Sequence, residues 1–422
     1  MNAKGIGLGT TEERRWKGNP HAYSRHARQS FTFEAFVPAT IGAVELLLPA
    51  HVADTVSAAE TEVRDLNREP PQLGDLENLS RQLLRAEAVA SSRIEGLEMS
   101  HKRLAEAAFA PEDVREIDAQ SVLRNIDAME EAVRLGSRPG PVTVENILKL
   151  HSILMSHESD ERFGPGELRT KQNWIGSGDT PRDADFVPPP EEYVPALMED
   201  LTIFMNRNDM PTVVQAAVTH AQFETIHPFA DGNGRVGRCL IHVLLRKRAL
   251  APRYVPPISL VLAANAAQYV DGLTMYRDGR VDEWCELFAG ATHAAAKNAR
   301  RFASRVGELQ EEWRTKAGNP RTDSAAIAII AGLPAQPVID IKTAAQIANA
   351  SDEAARRALH ALEGAGVLKR YKAPRGRGAW EAVGLFELLN DFERDLADTG
   401  DGSKPTRRSP YSPVVGGTSK PV

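Results

Sequence analysis

Aliphatic residues recur at three- and four-residue intervals through LENLSRQLLRAEAVASSRI (76–94), SVLRNIDAMEEAVRL (121–135), TVENILKLHSIL (143–154), VPALMEDLTIFM (194–205) and TVVQAAVTHAQFETI (212–226). That spacing gathers apolar side chains on one face of a helix, and frequent alanine, the strongest helix former, favours the same reading. Strand patterns are sparse, so the expected fold class is mainly α. One irregular stretch, GELRTKQNWIGSGDTPRDADFVPPPEEY (166–193), breaks the pattern with Gly, Asp and Pro between short extended runs, which predicts a β-hairpin or flap. After about residue 325 the order becomes helix (341–350), turn, helix (351–366), strand (367–371), turn (372–378), strand (379–383), the order of a winged helix. Ser351 is expected to N-cap the second of these helices, with Asp352 and Glu353 in its first turn.

Composition narrows the class without changing it. The chain has 422 residues, 42% of them apolar and 26% charged, enough for a sizeable core with a smaller second unit. No run approaches the roughly 20 apolar residues of a membrane span, and the first residues lack the apolar run of a secretory signal, so a cytoplasmic, membrane-free protein is expected. Cys239 and Cys285 lie in apolar helical stretches and read as buried thiols. A net charge of -6 argues against the broad positive field of a non-specific nucleic-acid binder. Residues 1–30 and 400–422 have no apolar periodicity and are expected to be disordered.

The candidate chemistry lies in His227-Pro228-Phe229-Ala230-Asp231-Gly232-Asn233-Gly234-Arg235-Val236-Gly237-Arg238, between two helical patterns. A Gly-Asn-Gly turn ahead of a helix exposes unpaired N–H groups where the helix dipole is positive, which makes an anion site. Arg235 and Arg238, three apart, would share one side of the first helical turn and reach phosphate oxygens. Asp231 adds a hard carboxylate beside that nest, and phosphate plus carboxylate suggests Mg²⁺. His227 has the chemistry of a general base near neutral pH. His220, Glu224, His227 and His242 do not have zinc-site spacing.

These twelve residues match, without a gap, the signature of the Fic family: His, any, Phe, any, Asp or Glu, Gly-Asn-Gly-Arg, two of any, Arg. Eight such fixed positions recur by chance in roughly one chain of this length in 10⁸. The chain therefore resembles Fic-family protein adenylyltransferases, with looser likeness extending over 115–300. The resemblance implies transfer of AMP from ATP to a Tyr, Thr or Ser hydroxyl of another protein. By that resemblance His227 takes the hydroxyl proton, Asp231 holds Mg²⁺, Gly232, Asn233, Gly234 and Arg235 bind the α- and β-phosphates, and Arg238 holds the γ-phosphate. Phe229 is expected to anchor the loop in the core. The flap, 173–187, would dock an extended segment of the target, and Tyr269 would line the adenine pocket.

Upstream, Ser91-Ser92-Arg93-Ile94-Glu95-Gly96 fits the family's inhibitory signature of Ser or Thr, three of any, Glu, then Gly or Asn. The resemblance implies that Glu95 pairs with Arg238 and denies it to the γ-phosphate, with Ser91 as the motif's first residue. Relatives with an N-terminal inhibitory helix often dimerise, so a homodimer is an expected assembly. The implied organisation is a disordered N-terminus (1–30), a helical region with the inhibitory motif (31–114), a catalytic core (115–300), a linker helix (301–325), a winged helix (326–399) and a disordered tail (400–422). Residues 326–398 hold nine Lys or Arg against ten Asp or Glu, a net of -1, which favours protein docking over DNA binding. Two alternatives stay open: removal of AMP from a modified protein on the same scaffold, and a DNA-binding regulator that senses nucleotide.

Overall fold

The structure, a computed structural model, describes residues 9–397 apart from 19, 22–24, 69–75, 111–114, 157–163, 177 and 373–377. Strands β1 (Thr10–Trp16) and β2 (Phe31–Val37) flank a one-turn helix, α1 (Arg25–Arg28). A helical body follows: α2 (Ala50–Arg68), α3 (Leu76–Ile94), α4 (His101–Phe109), α5 (Ile117–Ser137), α6 (Val144–Leu154), α7 (Val194–Met205), α8 (Thr212–Ile226), α9 (Asn233–Lys247), α10 (Ile258–Ala264), α11 (Ala266–Arg277) and α12 (Val281–Lys316). The C-terminal unit comprises α13 (Ala325–Gly332), β3 (Val338–Ile339), α14 (Ile341–Ala348), α15 (Asp352–Gly364), β4 (Leu368–Lys372), β5 (Gly378–Ala382) and α16 (Leu385–Ala397). The mainly helical fold is as expected. No helix among the described residues is long and apolar enough to cross a membrane.

Helix α8 is the axis of the body, because every one of its residues is buried. Its polar side chains must therefore find partners inside. Gln215 Nε2 donates to the carbonyls of Phe204, Met205 and Arg207, closing the C-terminal end of α7, and Gln222 bonds Ala39 and Tyr276. Helix α9 packs on α8 and α5, and α12 packs on α2 and α8. The loop between α8 and α9 is thus held at the centre of the body.

Two expected boundaries move. Residues 10–16 are not disordered: they pair antiparallel with β2, from Thr10 opposite Val37 to Trp16 opposite Phe31. The strand carries little apolar surface of its own, and its anchors come from elsewhere, with Trp16 against Phe31 and edge-on to Trp174, 5.7 Å between ring centres. The linker expected at 301–325 begins inside α12, whose 36 residues span about 54 Å. Phe302, Val306 and Trp313 stay buried along it because the same helix passes from the body to α13 and α16. The expected tail, 400–422, lies outside the described residues.

In the C-terminal unit β3, β5 and β4 form an antiparallel sheet in that order, beside α14 and α15. The Ser351 side chain caps α15 through Ala354 N, as expected. Much of the expected turn between β4 and β5 lies outside the described residues.

Candidate active site

His227 ends α8 in the left-handed region, φ 50°, its N–H bonded to Phe223 O. Non-glycine residues hold that conformation uncommonly, histidine more readily than most, and here the surrounding structure fixes it. Arg169, 7% exposed, donates from Nε to His227 O at 2.9 Å, from Nη1 to Lys171 O at 3.1 Å, and from Nη2 to the carbonyls of Pro189 and Ile226. Its own N–H bonds Pro228 O, and Asn173 adds bonds to the carbonyls of His227 and Phe229. One guanidinium therefore ties both feet of the flap to the loop. Inside the flap an antiparallel bridge joins Ile175 and Phe186, in line with the small hairpin expected, and Val187 O accepts from Phe36 N of β2 at 2.9 Å.

Phe229 is fully buried and stacks on His151, ring centres 3.8 Å apart, so it anchors the loop. His151 also reaches Asp231 O at 3.1 Å. Asn233 holds the turn as well: its Oδ1 accepts from Phe229 N and its Nδ2 donates to Phe229 O. The Asn233 side chain is thus committed to the loop, leaving only its backbone N–H for an anion. Gly232 enters α9 at φ 76°, where a side chain would be strained. Asp231 accepts from Gly232 N, lies 3.6 Å from Arg235 and is 27% exposed. Arg235 keeps its Nε buried with no protein acceptor, which suits a bound phosphate.

Glu95, just beyond the end of α3, fills that nest. Its Oε1 is 2.7 Å from Arg238 Nη2, and a Cβ placed on Gly234 would fall 2.1 Å from the same oxygen. Arg238 also donates from Nε to Ser91 Oγ and from Nη2 to Ser91 O, both at 2.8 Å. Burial opposes the charge of Arg238, and Glu95, with Tyr269 and Glu224 nearby, outweighs it and pushes the pKa up. Burial and then Arg169 hold His227 down at about 3, so its imidazole is neutral and able to accept a proton.

Two helices meet here through a polar ladder that the sequence reading missed. Glu87 of α3 accepts from Ser259 N and Oγ and lies 2.8 Å from His242 of α9. Four residues on, Ser91 meets Arg238, and Glu95 ends the series at Arg238 and Gly234. Steps of four up α3 against steps of four down α9 describe antiparallel helices, and that matched spacing was visible in the sequence. Glu224 was also missed: both its oxygens are buried without a hydrogen-bond partner, and burial lifts its pKa to about 8. Tyr269 is 2% exposed, and its hydroxyl lies 2.8 Å from His220 Nε2.

The residues present fit a magnesium ion only in part. Asp231 is a suitable single carboxylate, but the described residues contain no group of three or more potential protein ligands, so most of the coordination must come from substrate oxygens and water.

Two family models match the chain, the Fic/DOC family over residues 141–245 and the Fic/DOC family N-terminal region over 53–134. Over these residues the chain is similar to the Fic/DOC family. It is similar to a probable protein adenylyltransferase of Aquifex aeolicus, 28% identical over 49% of this chain and 59% of that protein. It is also similar to the protein adenylyltransferase Fic of Drosophila mojavensis, 27% identical over 36% of this chain and 28% of that one. The chain thus spans 59% and 28% of the length of these two relatives. A Fic domain-containing signalling protein from Bacteroides thetaiotaomicron shares the fold, with a TM-score of 0.50 and 16% identity over 60% of this chain and 97% of that one. The loop that carries the Fic signature is complete in this chain, with Glu95 lodged against it.

Proposed function

We propose that the protein transfers AMP from ATP to a side-chain hydroxyl of another protein, and that Glu95 restrains it. The observation that carries the reading is the 2.7 Å pair between Glu95 and Arg238 directly over Gly234, an anion already lodged in an anion nest. With Glu95 withdrawn, the N–H groups at the start of α9, Arg235 and Arg238 face the triphosphate. Neutral His227 accepts the proton of the target hydroxyl, whose oxygen bonds the α-phosphorus as the bond to the β-phosphate oxygen breaks. Pyrophosphate leaves and the target keeps AMP. Asp231 would hold a Mg²⁺ whose charge offsets that of the phosphates. The rest of the rate comes from positioning, since phosphoryl transfer asks little covalent chemistry of the protein.

The target is proposed to dock as an extended segment along the flap, whose feet Arg169 fixes against His227. The order and sheet of the C-terminal unit support a winged helix, and its surface supports protein docking over DNA. Arg356 and Arg357 lie within 4.0 Å of Glu353, and Arg370 covers the Trp380 ring. Incorporation of label from ATP labelled at its α-phosphate tests the central claim, with the protein itself as acceptor where no target is known. Label should transfer strongly in Glu95→Gly, weakly in the parent, and not at all in Glu95→Gly with His227→Ala. Label retained in the double variant would remove His227 from the mechanism.

A further inference from the structure

The short segment that carries Glu95 is gripped on both sides by one carboxylate from the far end of the chain. Glu393 of α16 accepts from Arg93 Nη2 at 3.0 and 2.8 Å, and its Oε1 lies 2.8 Å from His101 Nε2. Arg93 stands two residues before Glu95 and His101 six after it, across a turn at Gly96 with φ 83°. The His101–Glu393 contact is shielded, with the two side chains 7% and 16% exposed, while Arg93 is 35% exposed. Lys102, next to His101, adds a 2.6 Å pair with Glu381 of β5.

Between the two gripped positions Ile94 and Met99 are buried and Leu97 packs on the core, while Gly96 and Glu98 are exposed and the Glu95 carboxylate bonds Arg238. The ends of the turn, together with these apolar anchors, set where the carboxylate sits. Those ends are set in turn by α16, which follows β5 after only Val383 and Gly384. Val383 N bonds Val367 O and its carbonyl accepts from Trp313 Nε1, which fixes the connection. The other face of α16 lies on α12, with Phe392 stacked on Phe302 at 4.6 Å. Movement of the C-terminal sheet is thus passed to Glu393 with little slack.

We propose that the C-terminal unit is the latch of the Glu95 brake: Glu393 staples Arg93 to His101, and a ligand that lifts α16 frees Glu95 from Arg238. This rests on the reading of Glu95 as inhibitor. Linkage makes the coupling reciprocal, so a triphosphate that displaces Glu95 must also loosen the docking of α16.

The test uses the full chain with Glu393→Ala, the isosteric Glu393→Gln, and Glu353→Ala, which removes an exposed carboxylate that pairs within α15 with Arg356 and Arg357. Two readouts are taken: amide exchange over residues 91–101, and incorporation of the α-phosphate label. Both Glu393 variants should exchange faster over 91–101 and raise incorporation at least about fivefold, toward the level of Glu95→Gly. Glu353→Ala should match the parent. The latch is overturned if exchange over 91–101 is unchanged, or if exchange rises while incorporation stays at the parental level and Glu95→Gly is active. If Glu95→Gly is itself inactive, the transferase reading fails separately and the exchange readout alone decides the latch. Should Glu393→Ala unfold, the same outcomes are read from Glu393→Gln.

Discussion

Replacing Glu224 with glutamine should stabilise the protein by an amount that grows with pH. Glu224 lies on the fully buried helix α8, with both carboxylate oxygens lacking a hydrogen-bond partner, and Oε1 would sit 2.5 Å from a Cβ on Gly237. Burial raises its pKa from 4.5 to about 8, with Arg238 working against the shift and Glu95 adding to it. A carboxyl whose folded pKa lies above its unfolded value contributes fully below the unfolded value, and that contribution is lost as pH rises through the folded one. Between 4.5 and about 8 each pH unit removes about 1.4 kcal/mol. Glutamine cannot ionise, so its advantage over the parent should widen by about 3 to 4 kcal/mol between pH 5 and pH 8. Denaturant unfolding of both proteins at those two pH values measures the change in the gap, which cancels any constant effect of the amide. A gap that changes by less than about 1 kcal/mol would show that Glu224 is ionised in the folded protein. The functional corollary is that a neutral Glu224 leaves the charge of Arg238 to Glu95 or to a phosphate, so Glu224→Gln should keep the brake.

Three further outcomes follow from the site. Arg169→Lys in the Glu95→Gly background should cut turnover about a hundredfold while ATP affinity holds, because one ammonium cannot serve carbonyls on both the flap and the loop; steady-state kinetics separates the two constants. Gly234→Ala should push Glu95 off Arg238 yet give no label transfer with or without Glu95→Gly, since the methyl takes the place of the phosphate; transfer by either variant would contradict the nest. His227, held at about 3 chiefly by burial and then by Arg169, stays neutral down through pH 5, so its contribution to stability is intact above about 6.5 and declines as pH falls toward 3. The pH–rate profile of Glu95→Gly should accordingly show no inflection near 6.5.

The local rules were enough for several elements and for the loop. Helical periodicity marked α3, α6, α7 and α8 nearly to the residue, since each must bury one face or, for α8, all of them. The run from His227 to Arg238 declared an anion site because glycines ahead of a helix can do little else at that density. The Glu95 motif was legible only as a pattern. Its contact with Arg238 spans 143 positions and needed the antiparallel approach of α3 and α9 to exist at all. Strand β1 escaped notice because its stability comes from Trp174 and β2, not from its own residues. Tyr269 and Glu224 were ambiguous for the same reason: a side chain's surroundings fix whether it is core or pocket, charged or neutral. The sequence by itself determined the helices and the chemistry of the loop, which depend on neighbours within a few residues. Only the tertiary structure brought Glu95, which the motif had singled out, against Arg238 and decided which distant helix grips its segment, because those are matters of packing between elements.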